Sequence, residues 1–324
     1  MIFKKLKSSK KKTSIVGLGS WSLANEEYKK FFYNKISKKE ISKILGKAYE
    51  MGINFYDTSP AYGKSENLIG KEFQKKKREN ILICTKVGLN KFGEKINFKI
   101  KNISDQLDQS LRNLKTEYLD YVLIYNPKKN DKNLLNCYNF LYKQKKIGKI
   151  KHIGISLESP TDYLLFYKKF NFDLIQTNFN ILDNRIYEKK LLNILKNSKI
   201  DVIARSIYCF GFFTEKFLSS KIRYSQKDYR SLWSDIQIAS WKKGLKLIKD
   251  FNYKLDIENI AIRFVLTEKL ISAALIGVRS VNELKENLKS SNLKKLNTDF
   301  FGHIKYINKH NNFFIKRKVE HKIK

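Results

Sequence analysis

Eight short apolar runs set the terms for the fold: SIVGLG (14–19), INFYD (53–57), ILICTKV (81–87), YVLIY (121–125), HIGIS (152–156), LIQTN (174–178), DVIARS (201–206) and AALIGV (273–278). They read as near-continuous apolar segments rather than alternating ones. That is the pattern of parallel strands whose far face is covered by helices. The stretches between them carry helical periodicity. In ISKILGKAYEMG (41–52), Ile41, Ile44, Leu45, Ala48 and Tyr49 share one face, and in ISDQLDQSLRNL (103–114), Ile103, Leu107, Leu111 and Leu114 do the same. Eight strands with helical crossovers predict one α/β domain over residues 1–324, a closed (β/α)8 TIM barrel in preference to an open doubly wound sheet. An open dinucleotide-binding sheet wants GxGxxG at its first strand-to-helix turn. Here GLGSWS (17–22) has two glycines and lacks the third. The segment 207–232 is longer than an ordinary loop and is expected to act as a lid. The basic tail from about 300 to 324, ending in KRKVEHKIK, is expected to fray.

The formal charge of +35 invites a nucleic-acid or membrane-surface reading. Its texture argues otherwise, since only 9 of the 66 basic residues are arginine, the side chain whose planar fork suits base and phosphate recognition. The lysines scatter over nearly every segment, so a solvated surface is expected, with no specific nucleic-acid partner. No run of about 18 apolar residues is present to span a bilayer. The basic N-terminus MIFKKLKSSKKK lacks the apolar core of a secretory signal. A cytoplasmic protein is expected. Cys84, Cys137 and Cys209 are odd in number and far apart, without a nearby histidine cluster, so neither a disulfide framework nor a metal site is expected.

In a (β/α)8 barrel the chemistry sits at the C-terminal ends of the strands. Asp57 ends the second run, Tyr62 lies in the loop after it, Lys86 ends the third and Tyr125 ends the fourth. Neighbouring strands bring these four to one rim. Their types suit proton transfer: Lys86 would lower the Tyr62 pKa from its usual ~10, and Asp57 would hold Lys86 charged. Singly, each has a plainer reading, an Asx turn for the aspartate and a solvated rim lysine.

INFYDTSPAYGKSENLIG, followed in order by ICTKVG, YLDYVLIYNP, GKIKHIGIS, LIQTNFN and IGVRSVNELKENL, is similar to the aldo-keto reductase family across nearly the whole chain. The resemblance implies metal-free reduction of an aldehyde or ketone by hydride transfer from a nicotinamide cofactor, with a small carbonyl compound as substrate. Asp57, Tyr62 and Lys86 match three members of the family's catalytic tetrad, with Tyr62 as the general acid. Tyr125 stands where the family has histidine. A nucleotide-binding regulatory protein with weak or silent catalysis is the alternative on the same fold. The resemblance further implies that Ser156 and Gln176 hold the nicotinamide carboxamide, with Leu157 in place of the usual asparagine. Arg205, followed by Ser206, takes the place of the aromatic platform under the ring, as in a bacterial branch of the family. Gly277, Arg279, Ser280, Glu286 and Asn287 match the adenosine end of the site. Glu283 stands where the family often has arginine or glutamine near a 2′-phosphate; its carboxylate would repel that group and suit a free ribose hydroxyl, so NADH is the alternative to NADPH, the family default and the expected cofactor. Trp21 would face the substrate mouth; its plainer reading is a rim aromatic over apolar surface.

Overall fold

A computed structural model describes residues 1–24, 36–74, 76–219, 224, 228–251 and 254–314. The chain opens with an antiparallel hairpin, β1 (Phe3–Lys5) and β2 (Lys12–Ser14). Eight parallel strands follow: β3 (Val16–Gly19), β4 (Phe55–Asp57), β5 (Leu82–Val87), β6 (Leu119–Tyr125), β7 (Ile150–Ser156), β8 (Leu174–Asn178), β9 (Asp201–Arg205) and β10 (Ile271–Ile276). They stand side by side in chain order, and β10 pairs with both β9 and β3, so the sheet closes into a barrel. Each of the eight expected runs overlaps one of these strands, with β6, β7 and β10 each starting two residues before its run.

Helices pack outside: α1 (Lys38–Glu50), α2 (Ser65–Phe73), α3 (Ile100–Leu114), α4 (Leu134–Lys146), α5 (Lys189–Lys196), α6 (Glu215–Ser219), α7 (Asp235–Phe251), α8 (Ile257–Thr267), α9 (Val281–Ser291) and α10 (Thr298–His310). After β7 a 3-10 turn (Pro160–Leu165) replaces the helix. The helical periods read from sequence are met. Ile41, Ile44, Leu45 and Ala48 are buried on α1, whose Ser37 cap accepts a hydrogen bond from the Glu40 N–H, and Ile103, Leu107 and Leu114 are buried on α3. Gly70 lets α2 reach α3, because a Cβ there would lie 2.2 Å from the Asn113 carbonyl oxygen. Among the described residues no helix is long and apolar enough to cross a membrane.

Period-two alternation determines what fills the barrel. Phe55, Leu82, Cys84, Tyr121, Leu123, Leu174, Ile203, Ala273 and Leu275 form an apolar inner cluster, separate from the larger core between strands and helices. Two residues further along the same inward rows lie Asp57, Lys86, Tyr125, Gln176 and Arg205. The interior is therefore apolar below and polar at the C-terminal mouth.

The N-terminal end adds a feature that the sequence reading did not give, and the expectation for the C-terminal end is corrected. The lysine-rich N-terminus is a hairpin that closes the lower end of the barrel. Leu6 is fully buried in the inner cluster, and the Asp201 carboxylate accepts hydrogen bonds from Lys7 N (2.9 Å), Ser8 N (3.0 Å), Ser8 Oγ (2.6 Å) and Ser272 Oγ (2.8 Å). The expected first run is split here: Ser14 ends the hairpin, and β3 starts at Val16. At the other end, the stretch from about 300 is ordered as far as Phe314. Apolar residues at helical spacing, Phe300, Ile304 and Ile307, bury one face of α10, and the Phe313 carbonyl accepts from Gln237 Nε2 at 2.6 Å. The KRKVEHKIK segment lies outside the described residues. Because Asp201 is fully buried and leaves several donors without a partner when removed, Asp201→Ala is expected to lower the unfolding free energy by about 3 kcal/mol in urea titrations, with the far-ultraviolet spectrum of the folded state retained.

Candidate active site

Asp57 ends β4 pointing inward, and its Oδ1 accepts two hydrogen bonds, one from Lys86 Nζ and one from Gln176 Nε2, both at 2.7 Å. Lys86 donates a further bond to the Thr58 carbonyl at 2.8 Å. The ammonium is 1% exposed and the aspartate 4%, so the pair is removed from water and holds because its members are hydrogen-bonded to one another and to their surroundings. Burial alone would depress the lysine, but the neighbouring Asp57 carboxylate, with Tyr62 and Cys84, holds it above the ordinary lysine value. Cys84, the Cα partner of Asp57 in the β4–β5 ladder, is buried behind the carboxylate, and burial together with Asp57 pushes its thiol well up.

Beyond Asp57 the chain turns back on itself. Thr58 N donates to the Cys84 carbonyl, Tyr62 N donates to the Ser59 carbonyl, and Gly63 sits at φ 55°, a left-handed conformation that glycine adopts without a Cβ penalty. The turn lays Tyr62 over Lys86, whose Nζ is 4.8 Å from the ring centroid. Trp21 meets the same ring edge-on at 5.2 Å, and Phe92 closes the group. Burial raises the Tyr62 phenol to about 12, with Asp57 and Tyr125 adding to the rise and Lys86 and Arg205 opposing it. The expected net lowering is thus reversed in sign. One ammonium already matched by a carboxylate does not offset the hydration that the phenolate would lose.

Tyr125 ends β6 half-buried, its Cα paired with that of Ser156 at the end of β7. Ser156 Oγ makes a long hydrogen bond of 3.4 Å to Gln176 Oε1. Gln176 therefore faces the mouth with its amide nitrogen already donating to Asp57. Arg205 reaches from the end of β9 to β7, donating to the carbonyl of Leu157 at 2.8 Å. Ser206 follows at φ 57°, and Cys209, Phe210 and Gly211 also have positive φ, so the chain leaves β9 in a tight series of turns.

These residues open onto one cavity of about 1330 Å³. Its wall includes Trp21, Asp57, Tyr62, Tyr125, Ser156, Gln176, Arg205, Ser206, Gly277, Arg279, Glu283, Glu286 and Asn287. Lys86 lies just beneath. Ser280 is used by α9 itself: it is the N-cap, accepting from Glu283 N at 3.1 Å, while the Glu283 carboxylate accepts from Arg279 N at 2.7 Å. Both are thereby reciprocal helix-capping contacts. Tyr208 donates to Asn287 Oδ1 at 2.9 Å. The segment expected as a lid contributes wall residues from Ile207 to Thr214 and at Asp228 and Arg230; its residues 220–223 and 225–227 lie outside the described residues.

Asn178 and Phe92 are among the wall residues that the sequence reading missed. Asn178, 5% exposed, lies two residues beyond Gln176 on the same inward row of β8, so strand alternation could have found it. Phe92 comes from a loop, and nothing in its sequence neighbourhood marks it. The cavity wall also presents polar atoms with unmet hydrogen-bonding capacity: Arg205 Nε and Asn178 Oδ1 are buried without a protein partner. Amides, hydroxyls, an arginine and a helix N-terminus along an elongated cavity fit a dinucleotide, with the polar mouth cluster at one end and α9 at the other. Among the described residues no group of His, Cys, Asp and Glu is arranged to hold a metal ion.

The model of the aldo/keto reductase family matches residues 15–309. Among curated relatives, the uncharacterized oxidoreductase YqkF of Bacillus subtilis is 26% identical over 300 residues, covering 90% of this chain and 92% of its own length. The NADH-specific methylglyoxal reductase of Escherichia coli is 23% identical over 314 residues, covering 88% and 92%. Among solved structures, the holo form of aldo-keto reductase AKR11C1 from Bacillus halodurans superposes with a TM-score of 0.78 at 22% identity, covering 95% of this chain and 96% of its own. The glycerol dehydrogenase AKR11B4 from Gluconobacter oxydans gives the same TM-score and identity with 97% of each chain covered. With the family model spanning the barrel from its first strand to its last helix, the chain belongs to the aldo/keto reductase family, whose members carry out NAD(P)H-dependent carbonyl reduction.

Proposed function

We propose that this protein reduces a small aldehyde or ketone to the alcohol, with Tyr62 as general acid. The observation that carries the reading is the buried Asp57–Lys86–Tyr62 arrangement, which faces a cavity large enough for a dinucleotide and a substrate. The cofactor would supply the hydride. Ser156, Gln176 and Arg205 would hold its nicotinamide end, and Gly277, Arg279, Glu286 and Asn287 its adenosine end. Tyr62 keeps its proton through the neutral and mildly alkaline range, which is what an acid for carbonyl reduction requires. Lys86 stabilises the phenolate that forms when the proton is given up, and Asp57 holds Lys86 in place and charged. Trp21 and Phe92 brace the phenol ring and shield it from water. The cytoplasm is the proposed location, in keeping with three buried cysteines.

Tyr125 takes the position of the imidazole that would orient the carbonyl. A phenol can donate one hydrogen bond there, so it is proposed to position the substrate. The same residue favours the second reading, a cofactor-binding protein with weak catalysis. At α9, Arg279 and Glu283 carry opposite charges, which supports use of both cofactors with NADPH ahead.

Four outcomes test these assignments. Tyr62→Phe is expected to lower kcat for reduction by about 10²-fold or more while binding NADPH as the wild type does; undiminished turnover would remove Tyr62 from the role. Because the phenol titrates at about 12, the wild-type rate of reduction should show no alkaline fall from Tyr62 between pH 7 and about 10. Tyr125→His is expected to raise the single-turnover rate of bound NADPH oxidation by an aldehyde by about tenfold, and no change would mean that Tyr125 does not limit the chemistry. Glu283→Gln should tighten NADPH by about tenfold and leave NADH nearly unchanged, as read by titration of each cofactor.

A further inference from the structure

Several of the cationic side chains around the cavity are paired with carboxylates. Lys128 faces Glu158 at 3.0 Å, Arg185 binds Asp183 at 2.7 Å and Arg230 binds Asp228 at 2.7 Å. At the mouth, Lys86 is neutralised by Asp57. Arg205 makes no ion pair among the described residues. Its guanidinium is held by neutral acceptors, the Leu157 carbonyl at 2.8 Å and Ser206 Oγ at 3.4 Å, and its Nε is buried with no partner. Arginine stays protonated at any working pH. The reacting end of the site therefore carries one uncompensated positive charge.

That charge lines the mouth of the cavity read above as the nicotinamide end of the site. Arg205 is the Cα partner of Asn178 in the β8–β9 ladder, and both side chains line the cavity beside Gln176. Asn178 Oδ1 is an unmet acceptor and Arg205 Nε an unmet donor. A primary carboxamide offers the complementary pair, an N–H donor and a carbonyl acceptor. The same guanidinium is close enough to Tyr62 to oppose the rise in its pKa. We propose that Arg205 makes this site bind the reduced nicotinamide cofactor more tightly than the oxidised one. The inference rests on the reading of the cavity as a nicotinamide site.

The physical ground is Coulombic. The oxidised ring carries a positive charge and the reduced ring carries none, so a partly buried guanidinium beside it repels only the oxidised form. Preferential binding of the reduced form by about tenfold raises the two-electron potential of the bound couple by about 30 mV. During turnover the effect is partly cancelled. Hydride transfer places positive charge on the ring, while proton transfer places negative charge on Tyr62, and Arg205 disfavours the first and favours the second. In the binary complexes Tyr62 is protonated in both, so the repulsion there is undiluted. A bias of this kind speeds departure of the oxidised cofactor after reduction.

The test is calorimetric titration of the full-length protein with NADPH, NADP⁺, NADH and NAD⁺, for the wild type, Arg205→Gln and Arg205→Lys. The wild type is expected to bind each reduced form at least about tenfold more tightly than its oxidised partner. Arg205→Gln, which removes the charge and keeps a polar side chain, should bring that ratio toward one, and Arg205→Lys, which keeps the charge, should preserve it. Equal affinities in the wild type, or a ratio that Arg205→Gln leaves unchanged, would overturn the proposal while leaving the oxidoreductase reading intact. Failure of all four nucleotides to bind the wild type would overturn both.

Discussion

A single carboxylate oxygen, Asp57 Oδ1, joins three strands of the barrel. It accepts from Lys86 on β5 and from Gln176 on β8, while the backbone of Asp57 belongs to β4. Two charges and an amide buried in this way are costly to desolvate, and the arrangement holds only because each group finds a partner. Parallel register supplies the partners. Asp57 is level with Cys84, so Lys86 on the same inward row stands two residues higher and curves back to reach the carboxylate. A slip of one residue in either strand would turn one charge outward and leave the other buried alone. The site and the barrel closure therefore constrain each other.

The same burial determines how Tyr62 behaves. A phenol beside an ammonium in water would ionise more easily, but here the loss of hydration outweighs the cation and the acid is held in its protonated form. This separates two functions that composition alone runs together. The buried environment keeps the proton on, and Lys86, which opposes the rise, would lower the cost of losing it in the proposed reaction. Aromatic neighbours matter to both, because Trp21 and Phe92 create the low-polarity wall on one side of the ring.

Much of this was legible in the sequence. Eight apolar runs at strand length, separated by stretches of helical period, specify the barrel, and the strand-end rule then puts Asp57, Lys86, Tyr125 and Gln176 at one mouth. What escaped reading has physical causes. The N-terminal hairpin lacks the Asn-Gly or Gly-rich turn that marks hairpins, its turn being made of lysines and serines with Lys10 at φ 62°. Its anchoring depends on Asp201, nearly two hundred residues away. The direction of the Tyr62 shift depends on burial, which residue types do not report. The amide of Gln176 was assigned to a ligand because no sequence pattern shows that Asp57 lies across the barrel from it.

The departures from the family pattern are structurally connected. By the resemblance, Leu157 stands where the family has asparagine and Arg205 where it has an aromatic ring, and the backbone carbonyl of Leu157 receives the guanidinium of Arg205. That acceptor is present whatever side chain stands at 157, and an arginine at 205 is long enough to reach it from β9. An aromatic ring at 205 would leave the carbonyl without this donor, whereas a change of side chain at 157 would keep the acceptor. Tyr125 adjoins the same corner through the Tyr125–Ser156 pairing of β6 and β7. Ser156 thus links the altered tetrad position to the altered cofactor wall, and the two departures are neighbours in one structural unit.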